Sequence, residues 1–283
     1  MKRRVKITDK YIKSPLNYVG GKYKLLPQIL PLFPSNINTF VDLFGGGGNV
    51  IVNVKAEHCI YNDILKQVPE LLNYLQRNSV EKSVGQIQDL INTYSLSKTN
   101  QEGYLKLRND YNANPTPIKF YTLICYAFNN QIRFNSKGEY NMPFGKNRSS
   151  FNPTLENKFI EFTTEIHNSK YIFTNGSFEK FDFTNLNNND FVYCDPPYFS
   201  SVATYNESGG WTEQNEQTLL NLLDELNNKN ICWALSNNLK YDNPLLDNWK
   251  YKYNIHYLGG DYSNCNYHKK DKSKDVEVLI TNY

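Results

Sequence analysis

The chain has 283 residues, of which 40% are hydrophobic and 21% charged, so a wholly disordered chain is excluded. No apolar run approaches the roughly 18 to 20 residues of a membrane span, and no apolar segment follows the basic N-terminus. We therefore expect neither a membrane partner nor a secretory signal. The five cysteines are widely spaced without a Cys-x-x-Cys pair, which argues against disulfides and a zinc site and suits the reducing cytoplasm. No metal is expected.

The net charge of +3 is modest but unevenly distributed. Residues 1–28 carry eight basic side chains and one acidic side chain, and residues 133–148 carry four basic side chains and one acidic. Local positive fields of this kind suit a polyanion such as a nucleic acid, although a solvated basic face would give the same pattern.

Short apolar runs alternate with helical patterns along the chain, which predicts an α/β fold. A helix is expected over Glu213–Asn228, where Thr212 can cap the first turn and leucines recur along one face. The predicted strands are Phe40–Phe44, Cys59–Asn62, Tyr171–Thr174, Phe191–Asp195, Ile231–Ser236 and Val276–Thr281.

Residues 65–159 follow a different pattern, which predicts a mostly helical insertion in an α/β core formed by residues 1–64 and 160–283. The expected helices are Leu65–Arg77, Tyr104–Tyr111 and Ile118–Asn129, followed by a polar, turn-rich stretch with a hairpin near residues 129–148. Two segments are predicted to be mobile loops, Phe199–Trp211 and Gly259–Lys274.

The first chemical motif is a strand that runs into four glycines, Gly45 to Gly48, and then into a predicted helix. Its spacing does not match the dinucleotide fingerprint. Gly20-Gly21-Lys22 is not a P-loop either, because Leu16 and Tyr23 stand where Gly and Ser or Thr are needed. Asp42 ends the strand beside the glycine turn, which suits a cationic ligand better than a diphosphate. Asp63 follows the next strand, where α/β nucleotide sites bind a ribose through its hydroxyls. A structural turn remains an alternative for both acids.

The most specific motif is Asp195-Pro196-Pro197-Tyr198, directly after a predicted strand. The two prolines lack N–H donors and leave neighbouring carbonyls as acceptors. A carboxylate beside such a carbonyl can bind both hydrogens of an exocyclic amine, and the Tyr198 ring can stack on a flat base. A proline-stiffened turn with a capping Asp is the structural alternative.

Together these motifs resemble those of Dam-type (D12 class, alpha order) DNA adenine N6-methyltransferases. The similarity runs from about Ser14 to Tyr283 and implies a Rossmann-like S-adenosylmethionine-dependent methyltransferase sheet with a mostly helical DNA-recognition insertion. The matching stretches are Asn17–Lys22, Asp42–Gly48, Asn129–Asn135, Asn141–Gly145, Asp195–Tyr198 and Val276–Tyr283.

The resemblance implies a role for each matching residue. Asp195, Pro196, Pro197 and Tyr198 would bind the flipped adenine. The S-adenosylmethionine site would comprise Tyr18, Lys22, Asp42, Phe44, Gly46, Asp63, Phe178 and Asp195. Ser177, before Phe178, stands where many members of the family carry Asp.

The DNA contacts implied by the resemblance are Asn17, Asn129, Gln131, Arg133, Asn135 and Pro143. Arg133 would read a guanine through its fork. Three residues depart from the family: Asn17 replaces a frequent Lys, Tyr18 a frequent Trp, and Gln131 an apolar residue. The site would then be GATC or a related short sequence. Duplex DNA, a cognate restriction endonuclease and a monomeric state in the cytoplasm of a bacterial or phage-infected cell complete the expectation.

Other functions remain open at this stage. N4-cytosine methylation presents a similar amine, but those enzymes usually carry Ser where Asp195 stands. C5-cytosine methylation needs a thiolate from a Pro-Cys pair, which the sequence lacks. A catalytically idle DNA-binding protein and an RNA substrate are further alternatives, although the hairpin-like region Asn129–Gly145 favours duplex DNA.

Overall fold

The computed structural model describes residues 11–199, 210–259 and 276–283. Within these residues a single sheet has the strand order β3-β2-β1-β4-β5-β7-β6. β7 is antiparallel to β5 and β6, and the other pairings within the sheet are parallel. The strands are β1 (Thr39–Asp42), β2 (His58–Asp63), β3 (Tyr171–Asn175), β4 (Phe191–Cys194), β5 (Cys232–Asn238), β6 (Asn254–Leu258) and β7 (Glu277–Thr281).

Helices cover both faces of this sheet, so the predicted α/β class is confirmed. Most begin at a side chain that accepts a hydrogen bond from the first turn, as Thr212 does for α7 and Ser79 for α3. The helices are α1 (Leu26–Ile29), α2 (Gln67–Arg77), α3 (Val80–Thr93), α4 (Gln101–Ala113), α5 (Pro117–Tyr126), α6 (Pro153–Ile166), α7 (Glu213–Asn228) and α8 (Pro244–Trp249).

Successive side chains along each strand point to opposite faces of the sheet, so the core is divided into two clusters. One face packs against helices of residues 67–166, and the other packs mainly against α7 and α8. Side chains two positions apart on a strand point to the same face of the sheet. Each acid that ends or directly follows β1, β2 or β4 therefore points to the same face as an aromatic residue of the first cluster. The pairs are Phe40 with Asp42, Tyr61 with Asp63, and Tyr193 with Asp195.

The predicted strands and helices are largely confirmed, and α7 begins and ends at the predicted residues. The helix expected after the glycines is wrong, because residues 49–53 form consecutive turns. β6 was not predicted. The segments predicted as mobile loops lie mostly outside the described residues. α6 spans the predicted boundary between residues 159 and 160.

In the part of the chain that the structure describes, no helix has both the length and the apolar character needed to cross a bilayer.

Candidate active site

The predicted motifs lie at the point in the sheet where the strand order reverses, between β1 and β4. β1 is followed in sequence by its neighbour on one side, and β4 by its neighbour on the other. Asp42, the last residue of β1, pairs with Tyr193 of β4, and Asp195 follows β4 directly. Open α/β sheets bind ligands at this position, outside the carboxyl ends of the strands.

Lys22 connects the N-terminal motif to the Asp-Pro-Pro-Tyr motif. Its ammonium lies 2.7 Å from Asp195 Oδ1, donates to the Gly20 carbonyl at 2.9 Å and is 5.2 Å from the centroid of the Tyr198 ring. Only 3% of Lys22 is exposed. Burial raises the pKa of Asp195, while Lys22 acts in the opposite direction and favours the carboxylate.

Asp42 lies in the interior of the site and is 1% exposed. Within the described residues its Oδ2 has no hydrogen-bond partner. Burial raises the pKa of Asp42 well above its usual value, and repulsion from Asp195 and Asp63 raises it further. A ligand with a positive charge or a hydrogen-bond donor would satisfy this oxygen.

Asp63 fixes the glycine turn. Its Oδ2 accepts a hydrogen bond from the Gly46 N–H, and its Oδ1 accepts one from the Leu65 N–H, both at 2.8 Å. Gly46 has a φ of +49°, in the left-handed region that favours glycine. Burial raises the pKa of Asp63 to about 6, although the two hydrogen bonds favour the carboxylate.

Aromatic side chains surround the glycine turn. A Cβ atom on Gly46 would lie 3.1 Å from the Tyr18 ring, so a larger residue here would have to displace that ring as well as adopt the left-handed conformation. The Phe44 ring lies 5.3 Å from Phe178 and 5.7 Å from Trp211, and Phe178 lies 5.5 Å from Trp211, measured between centroids. Trp211 was not predicted as a site residue. Its Nε1 donates to Glu216, which is 1% exposed.

The chain doubles back on itself after α5, in the region where the hairpin is predicted. Isolated backbone bridges join Ala127 to Phe144 and Phe134 to Tyr140. At its tip, Asn135 Oδ1 accepts hydrogen bonds from the N–H groups of Lys137 and Glu139 at 3.0 and 2.9 Å. Asn135 therefore shapes the turn.

Side chains of α4 attach to the returning limb of this hairpin. Asn112 Oδ1 accepts a hydrogen bond from the Tyr140 N–H at 2.8 Å, and Asn112 Nδ2 donates to the Tyr140 carbonyl at 3.1 Å. The Tyr104 hydroxyl donates to the Met142 carbonyl at 2.7 Å. The hairpin is thus fixed to a packed helix, which limits its range of positions.

Arg133 is oriented by Asn141 on the opposite limb. Its Nε donates to Asn141 Oδ1 at 2.8 Å, and its Nη2 donates to the Asn141 carbonyl at 2.9 Å. These bonds occupy the Nε side of the guanidinium, so the edge formed by Nη1 and Nη2 is the one that a guanine would contact.

The remaining residues predicted to contact DNA lie near one another. Asn17 Nδ2 donates to the Asn129 carbonyl at 2.6 Å and so links the N-terminal motif to the hairpin. Asn129 has a φ of 54°. Asn17, Asn129 and Pro143 are exposed, and Gln131 is partly exposed. Their contacts with DNA remain predictions.

The strand order, the antiparallel β7 and the motifs at the ends of β1 and β4 define an α/β protein of the S-adenosylmethionine-dependent methyltransferase class. Comparison with known families makes the assignment specific. Residues 18–264 match the D12 class N6 adenine-specific DNA methyltransferases, and the chain belongs to this family.

Curated relatives agree with this membership. The chain is 48% identical to the type II methyltransferase M.FokI of Planomicrobium okeanokoites, over 98% of this chain and 44% of that protein. It is 46% identical to the modification methylase StsI of Streptococcus sanguinis, over 99% and 44%. It is 27% identical to the type II methyltransferase M1.LlaDCHI of Lactococcus lactis, over 94% of each chain. The chain thus spans less than half the length of the first two relatives.

Proposed function

We propose that the chain transfers a methyl group from S-adenosylmethionine to N6 of an adenine in double-stranded DNA. The observation that carries this proposal is the arrangement at the centre of the sheet. Asp195, in the Asp-Pro-Pro-Tyr motif, follows the strand adjacent to the one that ends at Asp42 and the glycine turn. Membership of the D12 family supports the same activity.

The residues at and after the carboxyl ends of β1 and β2 fit the cofactor. S-adenosylmethionine supplies a methyl group activated by a sulfonium charge. The buried Asp42 Oδ2, which lacks a partner in the described residues, suits the positively charged methionine end. Asp63 is at the position that binds ribose hydroxyls. Phe44 and Phe178 provide an apolar surface for the cofactor's adenine, and Tyr18, Lys22 and Gly46 border the same pocket.

The residues after β4 fit the target base. The Asp195 carboxylate and the Pro196 carbonyl would accept the two N6 hydrogens, which favours a tetrahedral nitrogen with its lone pair directed at the methyl group. Tyr198 would stack on the flipped base, and Pro197 stiffens the loop. The chain then contributes positioning and electrostatics. Cys194 gives no support to a thiolate mechanism, because burial raises the pKa of its thiol well above the usual value.

Residues 65–159 would form the target-recognition domain, and residues 1–64 with 160–283 the catalytic domain. The hairpin near residues 129–148 would enter the major groove, with Arg133 reading a guanine through its Nη1 and Nη2 edge. The neighbouring bases and phosphates would be contacted by Asn17, Asn129, Gln131, Asn135 and Pro143. We expect GATC or a related short sequence as the site.

The names of the relatives support a place in restriction and modification, because type II methyltransferases and modification methylases are found among them. The corresponding partner of this chain would be a restriction endonuclease that cleaves the same site when it is unmethylated. We expect the enzyme to act as a monomer in the cytoplasm.

Methylation-sensitive sequencing of a plasmid from cells that express the chain tests the proposed function. The expected result is N6-methyladenine at one short sequence, and its absence in cells that express Asp195→Ala. Loss of a charge-assisted hydrogen bond made mainly in the transition state should slow transfer at least about a hundredfold. Methylated cytosine, or no methylation by the wild-type chain, would contradict the proposal.

A further inference from the structure

The last strand of the sheet brings a carboxylate to the edge that carries the proposed target-base pocket. β7 runs antiparallel to β5, so its first residue lies where the parallel strands end. That residue is Glu277, which pairs with Asn238 and is only 2% exposed. Glu277 therefore lies at the same edge of the sheet as Asp195.

Both carboxylate oxygens of Glu277 have partners. Oε2 accepts a hydrogen bond from the Tyr198 hydroxyl at 3.0 Å, and Oε1 accepts one from Asn238 Nδ2 at 3.0 Å. Burial raises the pKa of Glu277, Lys22 lowers it and Asp195 raises it. The carboxylate is thus part of the same charged cluster as the Asp-Pro-Pro-Tyr motif.

These contacts constrain the Tyr198 ring, as does the Tyr241 ring, whose centroid lies 6.2 Å away. The hydroxyl at its far end is bonded to Glu277, and the Lys22 ammonium lies 5.2 Å from the ring centroid. A ring that stacks on a flipped base contributes to catalysis only if its plane is already in position when the base arrives. A hydrogen bond at the hydroxyl restricts rotation about the side-chain torsions.

A purely structural role explains this arrangement less well. Burial of a carboxylate costs free energy even when both oxygens are bonded, and an apolar side chain of similar volume is often equally or more stabilising. The other carboxylates buried in the described strands, Asp42 and Asp63, lie at this same edge of the sheet and not along the apolar core. Glu277 instead holds the hydroxyl of Tyr198, in the Asp-Pro-Pro-Tyr motif, in one position.

We propose that Glu277 is a positioning residue for methyl transfer, which anchors the Tyr198 hydroxyl so that the ring forms a rigid wall of the pocket for the flipped adenine. This inference rests on the proposed function. Glu277 acts through Tyr198, and its effect should be confined to steps that involve the target base.

The test is a double-mutant cycle with Glu277→Met and Tyr198→Phe. The single-turnover rate of methyl transfer is measured on plasmid DNA from a methylation-deficient host, with cofactor affinity measured by calorimetry. Each single variant should transfer about tenfold more slowly, the double variant should be no slower than either, and cofactor affinity should stay within about twofold of wild type. Glu277→Gln, which keeps an acceptor oxygen, should recover most of the rate.

Asp190→Leu is the matched control, because it also removes a buried carboxylate. Asp190 precedes β4 at the opposite edge of the sheet and accepts hydrogen bonds from Asn38 and Thr39. This variant should lower the denaturation midpoint without changing the transfer rate.

Three results would overturn the inference: an unchanged rate in Glu277→Met, effects of the two substitutions that multiply in the double variant, or a Glu277→Gln rate as low as that of Glu277→Met. If Glu277→Met does not fold, Tyr198→Phe decides alone, since the proposal requires a slower rate there as well. Failure of the proposed function is distinct, because the wild-type chain would then transfer no methyl group to adenine.

Discussion

Asp42 and Asp63 end neighbouring strands, yet their carboxylates have different surroundings. Asp63 accepts two backbone N–H groups and stabilises the glycine turn. Asp42 has an oxygen without a partner in the described residues and a pKa raised well above the usual value. The first carboxylate therefore has a structural role before any ligand binds, whereas the second becomes satisfied only when a donor or a cation arrives.

We expect the affinity for S-adenosylmethionine to increase as the pH rises through about 6. Burial raises the pKa of Asp63 to about 6, so the carboxylate proposed to accept the ribose hydroxyls is present above that pH and is lost below it. Asp63→Asn should raise the dissociation constant roughly tenfold to a hundredfold, the equivalent of about 1.5 to 3 kcal/mol, and should remove this part of the pH dependence.

Calorimetric titrations between pH 5 and pH 8 measure both effects. Asp190→Asn serves as the control, since it changes a buried carboxyl at the other edge of the sheet. An affinity of Asp63→Asn equal to that of wild type would remove Asp63 from the cofactor site.

At the scale of elements, local signals and long-range contacts differed in how well they could be predicted. α7 could be predicted because its cap and its leucine face lie within one continuous stretch. The turns after the glycines could not, because Gly46 and Gly48 adopt positive φ values and direct the chain away from a helix. β6 was missed because its residues are mostly partly or fully exposed and give no continuous apolar run.

Residues of the candidate site could likewise be predicted where the signal was local in the sequence, and not where it depended on long-range contacts. The motifs at the ends of β1 and β4 were recognisable because each is contiguous in sequence. Glu277 and Trp211 were missed as site residues because their contacts depend on tertiary packing, with Tyr198 for the first and with Phe44 and Phe178 for the second. A buried acid at the start of an otherwise apolar last strand was the available signal for Glu277.

Arg133 of the hairpin is the residue proposed to determine base preference. Arg133→Ala should reduce discrimination at one base pair by about 1 to 3 kcal/mol while weakening overall DNA binding less, because an arginine fork on guanine reads a base rather than a phosphate. Methylation rates on cognate and singly substituted duplexes at two salt concentrations measure this. Lys137→Ala, at the exposed tip, is the control and should weaken all sequences alike if it contacts phosphate.

A uniform loss in Arg133→Ala, with an unchanged base preference, would show that Arg133 contacts the backbone. The orientation of its guanidinium by Asn141 would then serve only to stabilise the hairpin.

At the scale of the whole molecule, the buried carboxyls determine how stability depends on pH. Burial raises the pKa of Asp42, Asp63, Asp195, Glu216 and Glu277. The unfolded chain releases these protons near pH 4, whereas the folded chain releases them at a higher pH, about 6 for Asp63. The folded state thus binds more protons in this window, so stability falls as the pH rises through it.

Hydrogen-bonded acids with lowered pKa values act in the opposite sense, because the stability that they contribute is lost as the pH falls below about 4. We therefore expect the ligand-free chain to be more stable near pH 5 than near pH 7.5. Urea denaturation at the two pH values tests this, and a higher midpoint at pH 7.5 would contradict it. Saturating S-adenosylmethionine should stabilise the chain more at pH 7.5, where Asp63 is ionised.

The antiparallel β7 also has a consequence for protein synthesis. The charged cluster combines Lys22 from early in the sequence with Glu277 from its last strand, and β7 lies in the sheet between β5 and β6. A nascent chain on the ribosome can therefore form neither the finished sheet nor the anchored Tyr198 ring until that strand has emerged from the exit tunnel. Contacts over such sequence separations also make folding slow. Chains whose synthesis stops before β7 therefore lack this strand, and we expect them to be inactive in the proposed methyl transfer.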